Sequence, residues 1–360
     1  MTSNTFENTD LTYLSQALDL AKIRRGFCSP NPSVGAVITL NNQVVATGYH
    51  MACGSPHAEA AALKKLSMRA EGATIYVTLE PCSHWGKTPP CTDAIIQAGI
   101  KRVVYGYSDP NPTVPGKGAS ALQTNGIICD YIPTPDITDF YESYNHWLKT
   151  KNPFVTAKIA LTLDGKIAGK QGERIQITGK ALQEFTHASR KTADAILTTI
   201  KTILHDDPQL NVRLANDTIA KHIYVLDSEL NLPFTATIFK TAKSVTIFHS
   251  KDADATRLQQ FNKQGIHCIA IDKNSDGLNL KQVIQHIGQA GVHDLWVEAG
   301  GKCFTALIKQ KLLQRALIYI APRWLGEGQS AFENDFTLDS NNTKIQWKQL
   351  GNDALCDIRW

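Results

Sequence analysis

Two α/β domains are what this 360-residue sequence predicts, one over residues 1–150 and one over 151–360, and three observations carry that expectation. In the first half, a helix-forming stretch opening on His57, Ala58 and Glu59 is followed by a strand-like run, 73–79, that leads into Pro81 and Cys82. In the second half, short β-branched apolar runs alternate with segments of helical period, the pattern of a mainly parallel sheet. Between them, residues 133–153 (PTPDITDFYESYNHWLKTKNP) mix prolines, aspartates and aromatics, and this shift in composition places the boundary near 150.

Composition narrows the function classes. Hydrophobic residues at 42% and charged residues at 19% suit a soluble protein with two ordinary cores. A net charge of +4 without a concentrated basic stripe suits phosphorylated small molecules and argues against a nucleic-acid partner. The eight cysteines are scattered, the opening MTSNTFENTD is polar, and no apolar run nears the ~18 residues that would span a bilayer. We therefore expect reduced thiols, a cytoplasmic location and no membrane association.

Taken in order, residues 10–23 carry helical apolar spacing at Leu11, Leu14, Leu18 and Ile23, with Asp10 as N-cap. Asn31 follows, held between Pro30 and Pro32 in a turn that could present its amide to an amide-like ring edge or could simply be a turn. Strands are expected at 34–40 and 44–49, joined through Asn41 and Asn42 as a hairpin.

The stretch 55–91 carries the chemistry. His57 and Glu59 sit two apart at a helix start, so they diverge, and one can hold a metal while the other faces a substrate. Cys82 follows the 73–79 strand; Cys91 opens a helix at 92–98 after the turn-rich SHWGKTPP. One imidazole and two thiolates leave a tetrahedral zinc ion with an open position, and a glutamate outside the ligand set moves protons. That is the pattern of a zinc deaminase. A closed structural site completed by Cys53 or His84 is the alternative, but closed sites favour cysteines only two to four residues apart.

Past this motif, a strand at 102–107 runs into Ser108-Asp109-Pro110-Asn111-Pro112, a rigid polar loop of the kind that contacts ligands. Gly116-Lys117-Gly118 lacks P-loop spacing. A short helix is expected at 136–148. In the second half, strands are expected at 154–161, 193–198, 222–226, 244–248, 266–271 and 294–298, helices at 178–190, 280–287 and 302–309, and a polar loop at 205–213. The turn WVEAGG, ending on Gly300 and Gly301, leads from strand to helix. It could admit a phosphate to backbone N–H groups, or be only a tight turn. The last residues, 334–360, suggest little beyond terminal strands.

In this order, PNPSVGAV, GYH, HAEA, YVTLEPCSHWGKTPPC and DPNPTVPGKG resemble the deaminase half of the bifunctional riboflavin-biosynthesis deaminase–reductase family. The resemblance implies a cytidine-deaminase-like α/β/α domain acting on 2,5-diamino-6-ribosylamino-4(3H)-pyrimidinone 5′-phosphate, which loses its 2-amino group as ammonia. It implies Zn²⁺ on His57, Cys82 and Cys91, with Glu59 catalytic. Substrate contacts would come from Asn31, His50, His84, Lys87, Asp109 and Asn111, with the Lys87 charge on the phosphate or ribose side and His84 near the leaving amine.

KIALTLDGKIAG, ITG, SRKTADAIL, DDPQLNVR and EAGG followed by ALIYIAP resemble the reductase half of the same family, a dihydrofolate-reductase-like α/β domain using NADPH. Lys158, Arg190, Arg213 and Glu298 would then bind the substrate. Ala160, Thr178, Thr202, Asp206, Gly300 and Gly301 would bind the cofactor, and a homodimer through this domain is expected. Two stretches depart from the family. Its usual Ser and Trp before Ile-Thr-Gly are Arg174 and Gln176 here, and its glycine-containing turn reads Thr199-Ile200-Lys201-Thr202. Side chains in place of glycine can block close approach to a cofactor. The alternative reading is thus a deaminase whose second domain is catalytically degenerate and serves dimerisation.

Overall fold

The computed structural model describes residues 8–85, 89–111, 116–215, 217–275, 277–332 and 343–360. By its internal contacts the chain divides into two compact units, Met1–Thr150 and Lys151–Trp360.

In the first unit, β1 (Gly35–Leu40), β2 (Gln43–Tyr49), β3 (Thr74–Val77), β4 (Arg102–Tyr105) and β5 (Ile128–Tyr131) form one sheet in the order β2-β1-β3-β4-β5. The hairpin expected at Asn41 and Asn42 is present. Both residues are left-handed, at φ 51° and 59°, as a type I′ turn demands, and short polar Asn tolerates that region. β1 and β3 are antiparallel, whereas β3, β4 and β5 run parallel. β1 is buried at five successive positions, so both its faces are covered. Leu14 from α1 (Asn8–Ile23), Leu63 from α2 (Ala58–Lys64), Ile95 from α3 (Cys91–Gln97) and Leu122 from α4 (Lys117–Thr124) meet Ile38 and Ile75 of the sheet in one core.

Two expectations change here. The first helix begins at Asn8, so Asp10 lies inside it and is buried. Its carboxylate accepts from Arg102 Nη1 and Nη2 at 2.8 and 2.9 Å and from the Tyr76 hydroxyl at 2.8 Å, tying α1 to β3 and β4. Residues 136–148 form two helices, α5 (Pro135–Phe140, capped by Thr134) and α6 (Glu142–Thr150), because Tyr141 leaves the helical region to bury its ring and bond Thr78 at 2.7 Å. α4 and β5 fall where no element was expected. The sequence of α4, KGASALQT, is too small and polar to show a period.

In the second unit, nine strands form one sheet. Their order is His267–Ile271, Ser244–Ser250, His222–Leu226, Ala195–Thr199, Asp294–Glu298, Phe154–Thr162, Arg315–Ala321, Asp353–Arg359, Lys344–Leu350. The first seven are parallel and the last two pairings antiparallel. Sequence neighbours Ile196 and Leu197, or Trp296 and Val297, join different core clusters, one on each face, as strand alternation requires. The 205–213 stretch is loop only in its middle; it begins inside the helix Ile200–Asp206 and ends in the strand Val212–Leu214.

Candidate functional sites

In the first unit, the chain turns out of extended backbone at His57, the N-cap of α2, which sets Glu59 in the helix's first turn. Cys91 is the first residue of α3. His57 Nδ1 lies 3.6 Å from Cys82 Sγ and 3.3 Å from Cys91 Sγ, and the three donor atoms all lie within 4.8 Å of one another. For Zn–S near ~2.3 Å and Zn–N near ~2.0 Å, the edges of a tetrahedron are about 3.5–3.8 Å, so the donor set and its spacing fit zinc. The Cys91 N–H donates to Cys82 Sγ at 3.4 Å and the Thr92 N–H to the Cys82 carbonyl at 3.2 Å, which fixes the loop carrying Cys82 against the start of α3.

The electrostatics follow from this crowding. The hydrogen bond from Cys91 and the imidazole of His57 hold the Cys82 thiol down to about 4, while its contact with Cys82 and burial push Cys91 up. The bond to Cys82 raises His57. Glu59 is only 4% exposed, and burial raises its pKa, which suits a carboxyl that must both take and give a proton.

A cavity of about 370 Å³ opens onto this cluster. Asn31, His50, His84, Asp109 and Asn111 all line it with Glu59; Lys87 lies outside the described residues. The Pro56 carbonyl, 3.1 Å from His50 Nδ1, can only accept, so Nδ1 carries the proton and Nε2 accepts from Asn31 Nδ2 at 3.2 Å. Burial lowers the His50 pKa and keeps the ring neutral. Asp109 accepts from the Asn111 N–H at 3.0 Å, and its pKa is raised by burial. Tyr144, Trp147 and Leu148 of α6 also line the cavity, from the segment in which the sequence predicts a short helix near the joint but no site. Their i, i+3, i+4 spacing was the available signal.

The second unit gathers a charged cluster. Glu298 and Lys158 pair across neighbouring strands. Arg190, from the helix Lys180–Thr192, donates through Nε and Nη2 to the two Glu298 oxygens, the latter at 2.9 Å, and through Nη1 to the Asn211 carbonyl at 2.9 Å. The Trp296 indole adds a bond to Glu298 at 2.7 Å, and Lys158 Nζ sits 5.2 Å from the centre of the Tyr319 ring. Burial would raise the Glu298 carboxyl, but the Arg190 charge and hydrogen bonds outweigh it and hold the group down to about 2. Burial lowers the pKa of Lys158. Arg213 is exposed and joins the cluster through Asn211 Oδ1 at 2.6 Å, while its N–H donates to His187 Nδ1 at 3.1 Å. Sequence reading did not single out Asn211, His187, Trp296 and Tyr319: three of them lie within the stretches DDPQLNVR, WVEAGG and ALIYIAP, but the contacts that matter reach Arg190, Arg213, Glu298 and Lys158 through contact geometry that no spacing displays.

The expected cofactor residues are spread along several elements. Ala160 pairs with Tyr319 in the sheet, the Thr178 carbonyl accepts from Gln176 Nε2 at 3.0 Å, and Asp206 faces Arg174 at 3.8 Å. Thr199 caps its helix, accepting from the Thr202 N–H at 3.3 Å in ordinary extended backbone, so that turn does not need glycine here. The WVEAGG turn divides in two. A Cβ on Gly300 would meet nothing within 4 Å, whereas one on Gly301 would fall 1.4 Å from the Ala331 carbonyl oxygen. Gly301 is therefore required by chain packing, and only Gly300 leaves open room for a ligand.

Comparison with known proteins fits both sites. Residues 7–107 match the model of the cytidine and deoxycytidylate deaminase zinc-binding region, and residues 153–356 match the RibD C-terminal domain. The chain is 36% identical to the riboflavin biosynthesis protein RibD of Aquifex aeolicus over 95% of each chain. It is 35% identical to that of Escherichia coli over 88% of this chain and 89% of the relative. Among solved structures, Acinetobacter baumannii RibD (form 1) superposes with a TM-score of 0.86 at 32% identity, covering 98% of both chains. A diaminohydroxyphosphoribosylaminopyrimidine deaminase/5-amino-6-(5-phosphoribosylamino)uracil reductase from Thermotoga maritima superposes at 0.84 with 30% identity, again over 98% of both. The first unit is thus a cytidine-deaminase-like α/β/α domain and the second an α/β domain of the RibD C-terminal type.

Proposed function

Because the chain belongs to the RibD family of riboflavin biosynthesis proteins, we propose that its first unit (residues 1–150) houses the deamination step, its second (151–360) the reduction, and that the two side-chain clusters above divide the work between them. The protein is a bifunctional enzyme of riboflavin biosynthesis, a zinc hydrolase that deaminates a pyrimidine and an NADPH-dependent reductase. What we assign is the part each residue plays.

His57, Cys82 and Cys91 would hold the zinc. When bound, zinc supplies Lewis-acid activation of the water that attacks the ring. Glu59 takes a proton from that water and passes protons to the ring nitrogen and to the leaving amine, which departs as ammonia. The Asn31–His50 pair presents one edge of the cavity to the ring, and Asp109 and Asn111 another. His84 lies toward the leaving amine, and Lys87 is assigned to the phosphate or ribose side as a point charge.

In the reductase unit, NADPH supplies the hydride. All three donor groups of Arg190 are committed to Glu298 and Asn211, so Arg190 and Glu298 frame the substrate site. The exposed fork of Arg213 meets the substrate phosphate, with Lys158 beside the reacting carbon. Thr178, Thr202, Asp206, Ala160 and the open side of Gly300 form the cofactor's bed, with Gly301 holding the turn in place. Arg174, Gln176 and Thr199 are tolerated departures, because each makes an ordinary local contact, and Lys201 is an exposed residue in the first turn of the helix that Thr199 caps. Among the described residues no helix is long and apolar enough to cross a membrane. We place the enzyme in the cytoplasm as a homodimer through its second unit.

The observation that carries this assignment is the convergence of one imidazole and two thiols, with a buried glutamate beside them, on a cavity lined by five of the six expected substrate residues. Treating the protein with a chelator and assaying each half separately tests it. Ammonia release should vanish and return with zinc, while NADPH oxidation on the deaminated substrate continues. Ammonia release that survives with no metal in the protein would refute the assignment.

A further inference from the structure

Glu80 stands two residues before Cys82, is 3% exposed, and carries no role in the account so far. No cation contacts its carboxylate in the described structure; four donors do. Oε2 accepts from Ser108 Oγ at 3.0 Å, from the Asp109 N–H at 3.3 Å and from the Gly116 N–H at 3.4 Å. Oε1 accepts from the Ala119 N–H at 3.1 Å. The Glu80 N–H in turn donates to the Tyr107 carbonyl at 2.8 Å. One side chain therefore holds the segment that follows β4, where Asp109 and Asn111 face the cavity, together with the start of α4. Glu80 is also among the residues that line the cavity. Gly118 packs so closely that a Cβ there would lie 2.0 Å from the Pro81 carbonyl oxygen, which locks the start of α4 onto the peptide that carries Cys82.

A buried carboxylate is costly unless its oxygens are filled by donors, and here backbone N–H groups and one hydroxyl fill them. Backbone donors cannot swing away as side chains can, so the anion fixes main-chain position. We propose that Glu80 is a positioning residue for deamination: through the Ser108–Asp109 backbone it sets Asp109 and Asn111 at a fixed distance from the metal-ligand cluster, so that substrate binding and the metal are registered by one peptide. This rests on the reading that Asp109 and Asn111 touch the substrate.

Glu80→Gln keeps the size but turns one oxygen into a donor. Whichever way the amide lies, an NH₂ group must face either the Ala119 N–H or the Ser108, Asp109 and Gly116 donors. The expected result is a KM for the diaminopyrimidine phosphate raised about tenfold, with kcat changed far less and zinc bound at the wild-type level, because ground-state positioning is what is lost. NADPH oxidation on the deaminated substrate serves as the internal control and should not move. Ser108→Ala removes a single donor and should raise the same KM by a smaller factor, so it decides the matter if Glu80→Gln fails to fold or loses zinc. Unchanged KM in Ser108→Ala, or in a folded, zinc-loaded Glu80→Gln, overturns the proposal. Asn111→Ala in parallel separates the two layers. If it leaves KM untouched, the underlying reading of the loop is wrong; if it raises KM while the Glu80 and Ser108 variants do not, only the positioning role is wrong.

Discussion

Arg190 and Glu298 meet as a fork on a fork: Nε and Nη2 of the guanidinium reach both carboxylate oxygens, and both side chains are nearly removed from water, at 10% and 14% exposure. The pair bridges the helix Lys180–Thr192 and the central strand Asp294–Glu298, so it belongs to the frame of the second unit as much as to its site.

That geometry has a pH signature. The Glu298 carboxyl is depressed from 4.5 to about 2 in the folded state. A depressed acid contributes stability that is fully present above its unfolded pKa and is lost as pH falls toward the folded one, so the loss runs from about pH 4.5 down to about 2, and amounts to about 3 kcal/mol. Denaturation of the wild type and of Glu298→Gln across this range measures it. The wild type should lose stability more steeply than the variant, and at neutral pH the variant should be weaker by about 3–5 kcal/mol because the Arg190 charge is left unpaired.

The neighbouring glycines should respond oppositely to one added methyl. Gly301→Ala drives a Cβ into the Ala331 carbonyl and should destabilise the protein by about 1–3 kcal/mol, lowering the thermal midpoint, whereas Gly300→Ala meets open space and should leave it nearly unchanged. NADPH affinity read on the folded Gly300→Ala variant then reports on the cofactor alone. A weakened KM for NADPH at unchanged stability supports its place in the cofactor's bed; equal thermal loss in both variants would contradict the division drawn between them.

Much of this was legible before any coordinates. His57, Glu59, Cys82 and Cys91 could be read because metal chemistry restricts residue type and spacing, and the Asn41-Asn42 hairpin because φ above zero restricts it too. Asp10 was misread as a cap, since a carboxylate near a helix start looks the same whether it binds its own backbone or, as here, Arg102 and Tyr76 from distant strands. Glu80 escaped notice for a related reason: three of its four partners are main-chain N–H groups up to 39 residues away, and backbone donors leave no letter in the sequence. The cavity wall of Tyr144, Trp147 and Leu148 was hidden by the prolines and aspartates around it, which marked a joint. At Gly301 the sequence left a phosphate turn and a plain tight turn both open, and the approach of Ala331 shows which constraint that glycine answers.

The central claim is that one buried carboxyl, Glu59, moves the protons of deamination beside zinc held by His57, Cys82 and Cys91. The most direct test is Glu59→Gln with zinc content, ammonia release and NADPH oxidation measured on the same preparation. The account predicts wild-type zinc, a fall in ammonia release of about 10²- to 10⁴-fold, and undisturbed NADPH oxidation on the deaminated substrate. Ammonia release at the wild-type rate from a zinc-loaded Glu59→Gln protein would contradict it.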